Sequence, residues 1–473
     1  METCGEICPK CKNVLYIDKE RKFCKYCKIT FSYRHTKEED KSEEPEYIVG
    51  TKTRDRLSGA RGLDIVIPHQ NVTDYIQDIL KNIHLKFNVY IVRAGNFGEN
   101  CNKGAYIGKE ENIMFLNDDT YIPKQVLDEA MNISEYADIV GIPQYIPNQD
   151  ANIDGVCLFR EPRKEDGFYF DYAREREKIF FPHGFCYIIK RKLFEELEGY
   201  DERYRNAMED CDLFLKAIQK KAIICYAKTR VTHYLSKSLG RKENESENQK
   251  RFRDKWSFAD CNKIRDNMDK ISVIVTTIPE RKELLKTTIA SIKQQTFTNI
   301  EIITILDEEH KGVAWARNEG IKKATGNYIL WCDDDITWNK HAFGKMLRAL
   351  KDSNASFSYG HYRVDSAILS KYNEIFKSCT YDFYHATIMP FIPTMSLVKR
   401  EVIQDIKWDN QLKRLLDWDF FLTLSERGFR GIKIPETLFS AYYDPKTSVS
   451  INQDLYSNEW KVRNKHFLTK GWF

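Results

Sequence analysis

Several absences narrow the reading before any motif does. No apolar run approaches the roughly 18 residues a membrane span requires, and the opening METCGEICPK is polar where a secretory leader would be apolar. Both absences predict a soluble, cytosolic protein. Charge of one sign is also missing: 74 Lys and Arg against 70 Asp and Glu leave a net charge of +4 over 473 residues, which gives little sign of a polyanion partner. Regular cysteine pairing is absent too. The count of 13 is odd, and most of these thiols are scattered through apparent strands and helices, as isolated cysteines are in a reducing compartment. An apolar content of 42% is enough for sizeable cores, and the length exceeds one ordinary domain.

The first segment, residues 1–35, carries CPKC at Cys8 and Cys11 and CKYC at Cys24 and Cys27. Two Cys-x-x-Cys knuckles converging on one ion is the four-thiolate pattern of a structural zinc site, so a small zinc ribbon is expected. Residues 36–62, with KEEDKSEEPE and TKTRDRLSGARG, read as a charged, solvated linker. From Leu63 the chain repeats itself, giving one domain over 63–262 and a second over 263–473. Each copy shows an apolar strand, a helix, a second strand, an Asn-x-Gly segment, a third strand and an acidic cluster. Asn102 and Asn318 stand 216 residues apart, as do Asp119 and Asp335. Alternating strands and helices predict an α/β fold, Rossmann-like, with a mostly parallel sheet in each copy.

The stretch GVAWARNEGIKKATGNYILWCDDDITW carries the most information. Adjacent carboxylates repel, so Asp333, Asp334 and Asp335 at the end of an apolar strand point to a cation held there against a phosphate. With ISVIVTTIPER, EIITILD and ARNEG ahead of DDD, the second copy resembles a family 2 glycosyltransferase of GT-A fold. The tandem plan is similar to the bacterial chondroitin and hyaluronan polymerases. That resemblance implies two GT-A modules, a nucleotide-sugar donor (a UDP-sugar), a glycan acceptor, transfer with inversion, and Mn2+ or Mg2+ at the donor diphosphate.

On the same resemblance, Asp335 is the metal ligand of the second module. Thr277, Pro279, Glu280, Arg317, Asn318, Asp333 and Asp334 lie at the donor, Asp307 meets the uracil or ribose, and Arg281 adds charge near the pyrophosphate. RLLDWDFF resembles the family's Glu-Asp-x-Asp box, with Leu416 in place of the glutamate and Asp417 as the base. Leu416, Phe420 and Leu424 recur at helical spacing, which puts Asp417 in a first turn where the dipole favours its ionised form. Tyr442 and Tyr443 fall where the family carries a metal-binding histidine. In the first module Glu209, Asp210 and Asp212 form the box, with Asp210 as base, Asp119 and His233 as metal ligands, and Pro68, Asn102 and Asp118 at the donor. Arg93 stands where an aspartate is expected, His69 and Gln70 follow the first strand, and a charged helix over 241–256 closes the module. Two further readings are a transferase acting on modified DNA bases or on a protein, with the ribbon as docking arm, and a first module that only clamps the acceptor.

Overall fold

The computed structural model describes residues 62–68, 87–92, 95–160, 168–234, 244–365, 374–443 and 454–468, together with the backbone of five N-terminal strands. The chain divides into two compact units, Met1–Met268 and Asp269–Phe473. The N-terminal strands Glu2–Ile7, Val14–Asp18, Arg21–Cys24, Ile29–Tyr33 and Tyr47–Gly50 pair antiparallel in sequence order. The last of them, apolar YIVG, falls inside the segment expected as a solvated linker. Cys8, Cys11, Cys27 and the Cys24 side chain lie outside the described residues, and the zinc ribbon expectation with them. His69, Gln70, Arg93 and the helix expected after the strand that starts at Leu63 do so too.

Beyond that sheet, the elements of the first unit that build its site are β1 (Leu63–Pro68), β2 (Asn88–Val92), α1 (Phe97–Ile107), β3 (Asn112–Leu116), β4 (Thr120–Tyr121), β5 (Ile139–Gly141), β6 (Gln144–Ile146), β7 (Cys186–Lys190), α2 (Glu209–Gln219), β8 (Ile224–Tyr226), β9 (Val231–His233) and α3 (Glu245–Lys255). A six-stranded sheet runs β8-β5-β7-β3-β1-β2. β1 is parallel to β2 and β3, and β5 to β8, but β7 is antiparallel to both its neighbours. The sheet is thus mixed where a mostly parallel one was expected. Among the described residues between β5 and β7, two antiparallel strand pairs stand in place of a covering helix, and a parallel return would need a long crossover. Pro143, which has no N–H to donate, separates β5 from β6, and the chain there moves into a second, four-stranded sheet with β9 and β4.

The second unit uses β10 (Ile271–Thr277), α4 (Lys282–Lys293), β11 (Ile300–Leu306), α5 (Val313–Lys323), β12 (Tyr328–Asp333), β13 (Ile336–Trp338), β14 (Phe357–Asp365), β15 (Leu397–Lys399), α6 (Leu416–Glu426), β16 (Gly431–Tyr442) and α7 (Leu455–Lys465). The sheet order is β11-β10-β12-β15-β14-β16-β13, and Ile375–Phe376 adds a strand beside β14. β10 lies parallel between β11 and β12, β15 is antiparallel to both its neighbours, and β13 is antiparallel to β16. β10 is buried at every position, which is why it reads as a continuous apolar and small-residue run and not as an alternating one.

The Asn-x-Gly repeat has the same packing role in both units. A Cβ on Gly104 would lie 2.4 Å from Val66 Cγ1, and one on Gly320 2.2 Å from Ile274 Cγ2. Each glycine lets its helix, α1 or α5, rest against the first strand of its sheet. Gly320→Ala is expected to destabilise the second unit by about 1–3 kcal/mol through overpacking, outweighing the roughly 1 kcal/mol gain in helix propensity. A urea unfolding midpoint that rises would contradict this packing.

Candidate active site

β12 delivers Asp333, Asp334 and Asp335 at its carboxyl end, and the structure sets two arginines against them. The guanidinium of Arg281, from the turn after β10, reaches Asp334 Oδ1 with Nε at 2.9 Å and Asp335 Oδ2 with Nη2 at 2.5 Å. Arg317 on α5 donates from Nη2 to Asp333 Oδ1 at 2.9 Å and lies over the Trp408 ring at 4.4 Å. The Thr277 hydroxyl donates to the other Asp334 oxygen at 2.6 Å. Three carboxylates thus face two guanidinium groups. Burial, with Asp333 adding to it against the pull of Arg281, raises the pKa of Asp335 to about 6.

Asp417 joins this cluster from the first turn of α6. Leu416, Phe420 and Leu424 are buried on that helix, as their spacing predicts. Leu415 at φ 60° turns the chain sharply into the helix, and the Trp418 N–H donates to Asp417 Oδ1 at 2.9 Å. Burial raises the pKa of Asp417, with Arg317 opposing the rise and Asp333 adding to it. Loss of water around the carboxylate thus makes Asp417 a stronger base than an exposed aspartate. Asp419, two residues on, is tied off by the C-terminal helix. Lys465 Nζ lies 2.8 Å from Oδ2 and His466 Nε2 2.9 Å from Oδ1, while His466 Nδ1 meets Glu426 at 2.9 Å.

Burial alone would lower the pKa of His466, but the Asp419 and Glu426 carboxylates outweigh it and raise it. A raised folded-state pKa stabilises fully below the unfolded value, and this contribution is lost as pH rises through the folded one. His466→Gln is expected to flatten that loss of stability with rising pH, which thermal melts across the neutral range would read.

Other residues expected at the donor have structural partners. Asn318 accepts from Trp408 N at 2.9 Å and donates to Trp408 O at 2.8 Å; Asn102 makes the same pair with Tyr200, both at 2.9 Å. Both amides clamp the chain that leads towards the acidic box. The Asp307 carboxylate accepts Lys311 N and Gly312 N at 2.8 and 2.7 Å, holding a turn where Gly312 takes φ 105°, a left-handed value that favours glycine. Pro279 and Glu280 form the turn that carries Arg281. Pro68 is buried at the end of β1.

The first unit repeats much of this frame with different chemistry. Met208 at φ 73° leads into α2, Asp210 accepts from Gly184 N at 3.2 Å and Cys211 N at 2.8 Å, and Asp212 is held by Lys255 and Trp256 at 2.6 and 2.7 Å. These two anchors are the last residue of the charged closing helix α3 and the residue that follows it, as Lys465 and His466 are for α7. Where the second unit pairs Arg317 with Asp333, the first carries Cys101 and Asn117, each 216 residues earlier, and the buried Glu209 stands near Cys101. Burial, with the Glu209 carboxylate adding to it, pushes that thiol's pKa up.

His233 does meet Asp119. β9 pairs with β4 so that His233 lies opposite Thr120, and its Nε2 is 3.1 Å from Asp119 Oδ1. Its Nδ1 is 2.6 Å from Gln144 Oε1, and its ring stacks on Phe185 at 4.7 Å. With Nδ1 donating to that oxygen, Nε2 turns a lone pair towards the Asp119 carboxylate, the ring-orienting pattern of a metal-bound histidine. The same register in the second unit puts Ala441 opposite Ile336, and Tyr442 N bonds to Asp335 O as Tyr234 N does to Asp119 O. Ala441, and neither Tyr442 nor Tyr443, thus occupies the histidine's place. Strand pairing, more than sequence spacing, locates it.

Among the described residues no three His, Cys, Asp or Glu side chains converge as a metal site. Mg2+ or Mn2+ on a nucleotide keeps waters and phosphate oxygens and takes one or two protein ligands. Asp119 and His233 fit that demand. Asp335, facing Arg281 and without a histidine beside it, fits it poorly. Asp118 adjoins the first of these sites.

Residues 304–407 match glycosyl transferase family 2. TuaG of Bacillus subtilis, a glycosyltransferase named for teichuronic acid biosynthesis, is 28% identical over 35% of this chain and 68% of its own length. WfgD of Escherichia coli, a UDP-Glc:alpha-D-GlcNAc-diphosphoundecaprenol beta-1,3-glucosyltransferase, is 30% identical over 18% of this chain and 37% of its own. The S. aureus TarS structure with UDP-GlcNAc overlays 42% of this chain and 65% of that one, at 15% identity and a TM-score of 0.33, too slight a likeness to argue from. The protein is a glycosyltransferase, with a family 2 match inside its second unit. Among the described residues no helix is long and apolar enough to cross a membrane.

Proposed function

We propose that both units transfer sugars from UDP-sugar donors to a glycan acceptor, each with inversion at the anomeric carbon. The observation that carries this reading is the repeated acidic box. In both units one carboxylate, Asp210 or Asp417, stands in the first turn of a helix while its neighbour two residues on is locked by the closing helix. Asp417 takes the proton of the acceptor hydroxyl as that oxygen bonds to the anomeric carbon. The bond from that carbon to the diphosphate breaks on the opposite face, and Asp210 does the same in the first unit. Arg317 positions Asp417 and Asp333. In the first unit Asp119 and His233 would hold Mn2+ or Mg2+, which supplies positive charge for the departing diphosphate. Gln144 and Phe185 fix the imidazole for that role.

Calorimetric titration of the full chain with a panel of UDP- and GDP-sugars tests the reading. Saturable binding of UDP-sugars, weakened at least tenfold by Asp119→Ala for one donor, is the expected outcome. An absence of binding across the panel would overturn it.

A further inference from the structure

The two units do not answer the donor's negative charge in the same way. In the first, the carboxylate of Asp119 faces an imidazole fixed by Gln144 and Phe185. In the second, the position of that imidazole holds Ala441, whose side chain has no ligating atom. The corresponding carboxylate, Asp335, faces the guanidinium of Arg281, which also spans to Asp334. Thr277 takes the second Asp334 oxygen, and Arg317 takes Asp333. A cation placed at Asp335 would meet a guanidinium already set against the same carboxylate and would find no second side-chain ligand in the histidine's place.

From this geometry we infer that the second unit is a cation-independent donor site, in which Arg281 takes the place of the divalent ion and binds the donor's diphosphate directly. This rests on the reading of both units as donor-binding. Arginine suits the part: with Nε and Nη2 set against the two carboxylates, its remaining N–H donors are left for phosphate oxygens, and it stays charged at any working pH. The Pro279–Arg281 turn presents it at the exit of β10, beside the carboxyl end of β12 where ligands of open α/β sheets gather. Asp334 and Asp335 then act as the rest that holds the guanidinium in position, which accounts for an acidic cluster that no histidine completes.

Two readouts on the full chain test this. In the first, Mn2+ bound in the presence of saturating UDP is counted by electron paramagnetic resonance. One Mn2+ per chain is expected, lost in His233→Ala, retained in Asp335→Asn, and rising to two when Arg281→Ala is combined with Ala441→His. Loss of Mn2+ in Asp335→Asn would overturn the inference, whereas survival of Mn2+ in His233→Ala would overturn only the cation assignment in the first unit. In the second, UDP binding is measured by equilibrium dialysis in excess EDTA. The wild type is expected to keep one equivalent of UDP, and Arg281→Met to lower its affinity at least tenfold when measured well below that variant's own, lowered melting temperature. UDP binding that vanishes in EDTA, or that ignores Arg281→Met, would overturn the inference whatever the Mn2+ count. No UDP binding under any condition would sink the donor reading itself and the inference with it.

Discussion

Asp417→Asn is expected to slow transfer by the second unit about 10²- to 10⁴-fold, the range by which a positioned general base speeds proton removal. Donor affinity should stay within about twofold, because the substitution keeps the shape and the Trp418 N–H can still donate to the amide oxygen. The same replacement at Asp419 should behave differently. That carboxylate is buried beneath Lys465 and His466, so Asp419→Asn should appear as lost stability before lost turnover. The pKa of Asp417 is raised by burial, so the acid limb of the second unit's rate profile should lie above the ordinary aspartate range. Transfer should fall as pH drops through that raised value, because only the ionised carboxylate accepts a proton. An acid limb at or below the ordinary range, or one that persists in Asp417→Asn, would remove Asp417 from the base role.

The second large effect concerns charge in the core of the same unit. Arg317 is buried, stacks on Trp408 and bonds to Asp333. Arg317→Leu leaves Asp333 without its partner and should destabilise the unit by roughly 3 kcal/mol, the low end for breaking a buried pair, since about a third of the Asp333 side chain keeps access to water. The first unit shows a way out. It carries Cys101 and Asn117 at the matching positions, a neutral pair in the same frame. Importing both, as Arg317→Cys with Asp333→Asn, should cost clearly less than Arg317→Leu alone, because the carboxylate bonded to Arg317 is neutralised along with it. Chemical denaturation of the three variants reads the difference. A double variant as unstable as the single one would mean that the cost is lost packing on Trp408 and not charge.

The repeat itself was legible because its residues have few substitutes. Only glycine fits where α1 and α5 press on the first strands, and an amide side chain both accepts from the N–H and donates to the C=O of one residue, so the Asn-x-Gly pair at Asn102 and Asn318 recurs at a fixed spacing. Their role was not legible: the partners, Tyr200 and Trp408, lie about a hundred residues along the chain, and a motif does not announce a distant backbone. The pairing of His233 with Asp119 could be expected from a family resemblance. Its counterpart could not, because strand register puts Ala441 and not a tyrosine opposite Ile336. Counting residues along a loop misses that by one or two places. The antiparallel β7 and β15 were hidden for a related reason. A buried parallel strand and a buried antiparallel one have the same apolar run, and only the connections tell them apart. Arg281 was visible as a charge near the pyrophosphate, but its grip on Asp334 and Asp335 depends on how the turn after β10 faces the end of β12.

The measurement closest to the central claim is sugar incorporation by the full chain when radiolabelled nucleotide sugars are supplied one at a time. Wild type, Asp210→Asn and Asp417→Asn would be compared side by side. Two transfer centres predict that each variant loses a different sugar and keeps the other. If both variants incorporate every sugar that the wild type does, neither acidic box performs transfer and the account fails.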